Sequence, residues 1–260
     1  MNFSPYSYPE LYELAFNFRD YQKAVDFILQ AVKATGISSI TSMVELGCGP
    51  AQYAREFSRR NIESFGVDNS QEMIKYAQKL IEDEKLSSKI IDADFCRFQL
   101  PKSVDLAICM MATFNHLLTN NDILTHLNCV ADNLKSEGMY LIELPHPRDI
   151  FTVDKSCQNV WEVKNDDIQL AIDWGSDAVF DPMTEIDLMK ITFTATMQDK
   201  TNIYTAQDKS RRIGLGLLRA LIELSDRFRI TGMYGDLDIN QPFDNTKKSW
   251  RLILVLRKYE

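Results

Sequence analysis

The sequence predicts an α/β protein: a doubly wound sheet of seven strands with an antiparallel last strand, an N-terminal helical lid and an inserted antiparallel β-sheet. Three observations carry that prediction. Between residues 40 and 143, short apolar runs alternate with segments of helical period, the pattern of parallel strands joined by right-handed crossovers. From 145 to 205 the period shortens to two, as in an antiparallel sheet with one wet face. From 208 onward a helix and two apolar strands return. The 260 residues, 45% of them hydrophobic, suffice for one large domain or one domain with a substantial insertion.

Residues 1–36 are aromatic and mostly helical, and form the expected lid. Phe3, Tyr6, Tyr8, Tyr12, Phe16, Phe18 and Tyr21 either pack on the main sheet or cover a flat ligand. Asp20 is the N-cap candidate for a helix running to Thr35 and closed by Gly36. Val25, Phe27, Ile28, Ala31 and Val32 give it an apolar face.

The core spans 37–145 and 208–260. Strand one ends at Leu46 and its helix runs near Tyr53 to Arg60. Strand two covers Glu63 to Val67; Ser70 caps a helix carrying Met73, Ile74, Ala77, Leu80 and Ile81. Strand three, Lys89 to Asp92, leads into Ala93-Asp94-Phe95. Strand four, Val104 to Met110, is nearly all apolar, as a strand buried on both faces should be, with Asp105 an early interruption. A helix over Asp122 to Leu134 precedes strand five, Met139 to Leu144, with Gly138 between them.

Pro145-His146-Pro147 stops that strand and opens the insert, 146–207. Strands are expected at Asn159–Val163, Ile168–Trp174, Glu185–Met197 and, briefly, Ile203–Ala206. Lys164-Asn165-Asp166 and Phe180-Asp181-Pro182 are turns. A helix from about Ser210 to Leu224, locally weakened by Gly214 and Gly216, returns to the core. Phe228–Tyr234 and Trp250–Leu256 close the chain as strands, and the polar linker between them is placed to line a pocket mouth.

The chemistry centres on Thr41 to Gln52. A short apolar strand, Met43-Val44-Glu45-Leu46, meets Gly47-Cys48-Gly49-Pro50-Ala51-Gln52 and then a helix. Glycines let the backbone turn tightly and approach a ligand, and the helix N-terminus presents free N–H groups. Asp68, at the end of strand two and about twenty residues on, stands where a nucleoside-binding α/β unit places a carboxylate for ribose hydroxyls. The strand ends carry Glu45, Asp68, Asp94, Met110 and Glu143, which implies one shared site at the carboxyl edge of the sheet.

Composition excludes several classes. The net charge is −8 and there is no long Lys/Arg run, so a nucleic-acid partner is not expected. Lys209, Arg211 and Arg212, the densest basic cluster, read as a solvated helix start. Cys48, Cys96, Cys109, Cys129 and Cys157 match no metal-ligand spacing; Cys109 and Cys129 read as core thiols. No apolar run reaches the roughly 18 residues of a membrane span. The odd cysteine count and lack of a signal peptide point to the cytoplasm.

Taken together, Glu45-Leu46-Gly47-Cys48-Gly49-Pro50-Ala51 resembles motif I of the class I S-adenosylmethionine-dependent methyltransferases, which share a Rossmann-like fold. The resemblance extends to Asp68, Asp94-Phe95, Asp105 and the Asn115-His116-Leu117 segment, and the closing strands are similar to the last two of that fold. Ala51 departs from it, since many members have a third glycine there; alanine is still small enough for helix–strand approach. The insert looks like the substrate-covering segment of small-molecule methyltransferases, including those acting on sugar amines. The resemblance implies S-adenosylmethionine as cofactor and a methyl transfer to an oxygen or nitrogen of a small molecule. Gly47 and Gly49 would meet its methionine part, with Cys48 between them and Glu45 near the ammonium group. Asp68, beside Asn69, would accept from the ribose hydroxyls and Asp94 from the adenine amino group, with the Phe95 backbone beside the ring. Met110 or Met111 would lie near the sulfonium, Met73 on the ribose or adenine side, and Tyr12 and Arg19 over the carboxylate.

In-line transfer needs a base only if the acceptor must first lose a proton. His116, His146 and Glu143 are the candidates, all near strand ends. Trp174 and Tyr234 are expected to wall the acceptor, with Trp161 more suited to the core. Two other functions fit the same layout: a nicotinamide-dependent oxidoreductase, and a cofactor-binding partner protein without chemistry.

Overall fold

The computed structural model describes residues 4–151, 159–198 and 200–259; Phe3 and Cys157 lie outside them. The first strands are β1 (Ser42–Leu46), β2 (Glu63–Asp68), β3 (Lys89–Asp92), β4 (Val104–Cys109) and β5 (Leu134–Pro145). A second group follows: β6 (Val160–Lys164), β7 (Gln169–Trp174), β8 (Val179–Asp181), β9 (Ile186–Met197) and β10 (Lys200–Arg211). The chain closes with β11 (Phe228–Tyr234) and β12 (Arg251–Lys258). The main sheet has the order β11-β12-β5-β4-β1-β2-β3. Neighbours from β5 to β3 pair in parallel, and β12 runs against both β5 and β11.

The helices are α1 (Pro9–Ala15), α2 (Tyr21–Ala34), α3 (Gln52–Arg59), α4 (Gln71–Asp83), α5 (Asn120–Asn133), α6 (Pro147–Phe151) and α7 (Leu215–Ser225). Alternate residues of the central strands face opposite layers. Met43, Leu106 and Ile108 pack with Val25 and Ile28 of α2 and Phe57 of α3. Val44, Ala107 and Cys109 pack with Leu127 and Val130 of α5 and Leu218 of α7. Two buried faces explain the unbroken apolar runs. Asp105 is explained by its bonds: its Oδ2 accepts from the N–H of Thr41 and Ser42 at 2.9 and 3.0 Å, tying β4 to the start of β1.

Caps set several boundaries. Asp20 Oδ1 accepts from Lys23 N–H at 3.0 Å and starts α2. The helix expected from Asp122 begins earlier, because Thr119 and Asp122 form a reciprocal capping box.

The second sheet has the order β10-β9-β7-β6, with β8 alongside β9. Its inner face buries Leu170, Ile172, Ile191, Phe193 and Ala195 against Leu11 and Ala15 of α1. The first helix therefore packs on the insert rather than on the main sheet. Phe16 lies 5.6 Å from Trp161 and Tyr8 4.3 Å from Tyr204, ring to ring.

The region around 209–212 corrects the sequence reading. Lys209 and Arg211 belong to β10, in register with Leu188 and Ile186 of β9. Arg211 is buried and bonded to Asn120 and Glu185, and Arg212 grips both oxygens of Asp187. These charges are paired across the sheet, so the helix starts only at Leu215, after Gly214. Among the described residues, no helix is long and apolar enough to cross a membrane.

Candidate functional site

The carboxyl ends of β1, β2 and β4 open into a cavity of about 1320 Å³, with a narrower compartment running under the Gly47–Gly49 loop. The loop is left-handed at Gly47 (φ 60°), Gly49 (φ 50°) and Ala51 (φ 57°). Gly47 is also a close approach: a Cβ there would stand 2.4 Å from Thr113 Cγ2. Tyr12, Phe16, Gly47, Gly49, Met111 and Thr113 line both compartments.

Three acids reach this space from separate strands. Asp68 lines the larger cavity, its Oδ2 accepting from Gly49 N–H at 2.7 Å and its Oδ1 from Ser70 N–H at 2.9 Å. Burial raises its pKa, and those two N–H groups oppose the rise. Glu45 lines the narrow compartment with Cys48 and Met110; its Oε2 accepts from Ala54 N–H at 2.8 Å. Burial pushes the Glu45 carboxyl up to about 8, against the pull of the Ala54 and Tyr53 amides. Asp94, with Phe95 and Asn69, lines the larger cavity, and its Oδ1 accepts from Cys96 N–H at 2.7 Å.

His126 stands behind that last loop. Its Nδ1 lies 2.9 Å from the Phe95 carbonyl, which can only accept, so Nδ1 carries the proton. Nε2 then accepts from the Tyr140 hydroxyl at 2.6 Å. Burial lowers the His126 pKa to about 4.

Glu143 is not a free base. Its Oε1 accepts from Arg19 at 2.7 Å and from Arg251, and its Oε2 from Met111 N–H at 3.0 Å. Burial would raise its pKa, but Arg19 and Arg251 outweigh that and hold it below the usual carboxylate value. Arg19 thus pairs with a protein carboxylate; its Nη1 remains buried without a partner among the described residues, as does the Tyr53 hydroxyl beside it.

His146 is also committed. It is buried, its Nδ1 accepts from Arg148 N–H at 3.1 Å and its Nε2 donates to the Asp244 carbonyl at 2.9 Å, and it lines neither compartment. His116, by contrast, faces the larger cavity. Its Nε2 lies 3.0 Å from the Tyr6 hydroxyl, which is 3.3 Å from Asp208 Oδ2; His116 Nδ1 is 3.8 Å from Asp208 Oδ1.

Trp174 lines the larger cavity against Phe16 and Tyr12, and Trp161 does so too, while donating from its indole to the Ala15 carbonyl. Tyr234 does not: it packs edge-on to Phe27 of α2, 5.3 Å away. A bulge between Ile230 and Gly232 shifts the register of β11 and turns Tyr234 to that side. Met73 is buried beneath the loop, its sulfur 3.9 Å from where a Gly49 Cβ would stand, and lines neither compartment.

A family profile described as "Methyltransferase domain" matches residues 43–138, from β1 into the start of β5. Residues 43–138 are a methyltransferase domain. A putative methyltransferase of Geobacillus sp. (strain WCH70) is 20% identical over 161 residues, an alignment spanning 62% of this chain and 64% of that one. Beyond the methyltransferase domain, the likeness to solved structures takes in nearly the whole chain. An S-adenosylmethionine-dependent methyltransferase from Clostridium acetobutylicum matches with a TM-score of 0.79 at 16% identity, covering 95% of this chain and 96% of that one. The sugar N-methyltransferase KedS8 from Streptoalloteichus sp. matches with a TM-score of 0.74 at 14% identity, covering 96% and 93%. At such identities the likeness is one of fold: a Rossmann-like methyltransferase fold with a second, antiparallel sheet.

The sequence reading gave Tyr6 only as one of the aromatics that pack on the sheet or cover a ligand, and missed Thr113, Asp208 and Arg212 as lining of the larger cavity. Thr113 had a faint signal, the tight approach that a glycine at 47 permits. Asp208 had none, and the cluster with His116 forms only because the segment before α1, which carries Tyr6, packs against β10.

Proposed function

We propose that the chain is an S-adenosylmethionine-dependent methyltransferase that transfers a methyl group to an oxygen or nitrogen of a small molecule. The observation that carries this reading is that Glu45 lines one, and Asp68 and Asp94 the other, of two compartments that share the left-handed Gly47 and Gly49 as lining. Asp68 and Asp94 suit the hydroxyl and amino donors of an adenosine, because each carboxylate oxygen has a second lone pair after its backbone bond. Glu45, nearly neutral when buried alone, becomes ionised beside a cationic ammonium or sulfonium. The orphaned Arg19 Nη1 and Tyr53 hydroxyl suit the carboxylate of the methionine part. Met111 lines both compartments and Met110 the narrow one, and the sulfonium would stand beside them.

When bound, the cofactor supplies an electrophilic methyl group; the protein contributes alignment, worth roughly 7–11 kcal/mol of the barrier. The larger cavity exceeds the roughly 300–1,000 Å³ of a single ligand site and has room for donor and acceptor together. We assign proton removal from the acceptor to His116, which faces the larger cavity beside Tyr6 and Asp208. The fold likeness to an S-adenosylmethionine-dependent enzyme and to a sugar N-methyltransferase supports a small acceptor.

Calorimetry with S-adenosylmethionine, S-adenosylhomocysteine and NAD tests the reading. Binding of the first two is expected. Binding of NAD alone would favour the oxidoreductase, and binding without methylation of any member of an amine and alcohol panel would favour the partner protein.

A further inference from the structure

Strand β4 runs directly into two left-handed residues, Met111 (φ 54°) and Ala112 (φ 60°). Neither is glycine, so each stores about 1–2 kcal/mol of backbone strain. Such a turn persists only where its surroundings over-determine it. Local bonds close the turn, Thr113 N–H to the Met110 carbonyl at 3.2 Å and Asn115 N–H to the Ala112 carbonyl at 2.9 Å, and the restraint from outside it comes from Glu143 of β5. Glu143 accepts from Met111 N–H at 3.0 Å through its side chain and from Ala112 N–H at 3.2 Å through its carbonyl. Its other oxygen is occupied by Arg19 and Arg251, and the residue is 5% exposed. Arg19 comes from the segment between α1 and α2, and Arg251 from β12, so three parts of the chain meet on one carboxylate. Met111 lines both compartments, and the Tyr21 hydroxyl approaches its sulfur at 3.7 Å.

We propose that Glu143 is a positioning residue that holds the Met111–Ala112 turn across the gap between donor and acceptor, and that Arg19 makes this hold depend on docking of the N-terminal segment. The role of the gap rests on the proposed methyl transfer, whereas the turn and its anchor do not. Both arginines keep Glu143 charged and bonded, so its task is geometric: displacement of Met111 by a fraction of an ångström moves one wall of the site where alignment decides the rate.

The test is amide hydrogen exchange at Met111 and Ala112 in the full chain without ligand, with calorimetry against S-adenosylhomocysteine alongside. Glu143→Ala is expected to speed exchange at both amides by about tenfold or more while amides of α4 keep their rates. It should also weaken S-adenosylhomocysteine binding by about tenfold. Glu143→Gln keeps an acceptor for Met111 N–H and should restore most of the protection. Arg19→Met touches neither amide directly and should still speed both. If Glu143→Ala does not fold, the glutamine and Arg19 variants carry the test. Acceleration spread evenly over the protein, glutamine no better than alanine, or an Arg19→Met protein with wild-type exchange at Met111 would each overturn the proposal. Failure of the wild type to bind S-adenosylhomocysteine would remove the methyl-transfer reading and leave the exchange result to judge the anchor.

Discussion

The Gly49 amide donates to Asp68 Oδ2 at 2.7 Å, joining the glycine loop after β1 to the acid that ends β2. Asp68 therefore shapes the loop as well as facing the cavity. Replacing it by Ala leaves the Gly49 and Ser70 amides without their acceptor. We expect a loss of about 1–3 kcal/mol in stability and at least as large a loss in S-adenosylhomocysteine binding, read by thermal unfolding and calorimetry. Asp68→Asn, with one acceptor oxygen left, should fall between.

Glu45 predicts a pH dependence of known sign. Its carboxyl titrates near 8 in the folded protein and near the ordinary 4.5 when unfolded. Between those values the folded state holds a proton that the unfolded state has released. This contribution to stability is thus full below about 4.5 and is lost as pH rises through 8. Denaturant titrations of the wild type and Glu45→Gln should differ in slope over that window, the variant being flatter. Binding of a cationic ligand at neutral pH should release a proton, detectable as a buffer-dependent binding heat.

His126 acts in the opposite direction along the pH axis. Its folded pKa, near 4, lies below the ordinary histidine value of 6.5, so its contribution to stability falls as pH drops from about 6.5 to 4. His126→Leu removes the donor to the Phe95 carbonyl and is expected to cost about 1–3 kcal/mol. The Phe95 loop should then lose preference for adenine over hypoxanthine, measured with S-adenosylhomocysteine and its inosyl analogue. Equal discrimination by wild type and variant would show that His126 supports packing alone.

His116 separates binding from turnover. His116→Gln is expected to lower methyl transfer by about 10²–10⁴-fold on an acceptor that must lose a proton, with S-adenosylhomocysteine affinity unchanged. A rate within a few fold of wild type would assign proton removal to solvent.

Much of the main sheet was legible because its strands are apolar on both faces and end in acids, as at Glu45 and Asp68. The glycine loop was legible because its backbone conformation restricts residue type. Partnerships across the fold were not. Glu143 and Arg19 are 124 residues apart, and their bond turns an apparent base into an anchor. Tyr6 and Asp208 are 202 apart and meet beside His116. Strand β10 was expected only over Ile203–Ala206, because its exposed face and its last residues are polar and its length is set by pairing with β9. Tyr234 was misplaced by a bulge, which has no reliable mark in a single sequence.

Helix α1 touches both halves of the protein. Its aromatic side meets the second sheet, while Glu13 accepts from Gln52 and Arg55 of α3 and from Tyr76 of α4. Tyr12 of α1 lines both compartments, so we expect a molecule as long as an adenosyl amino acid to displace this strut as it enters or leaves. The slow event of each cycle is then expected to be the strut's departure, so turnover should fall with solvent viscosity and rise when Glu13 is shortened to Ala.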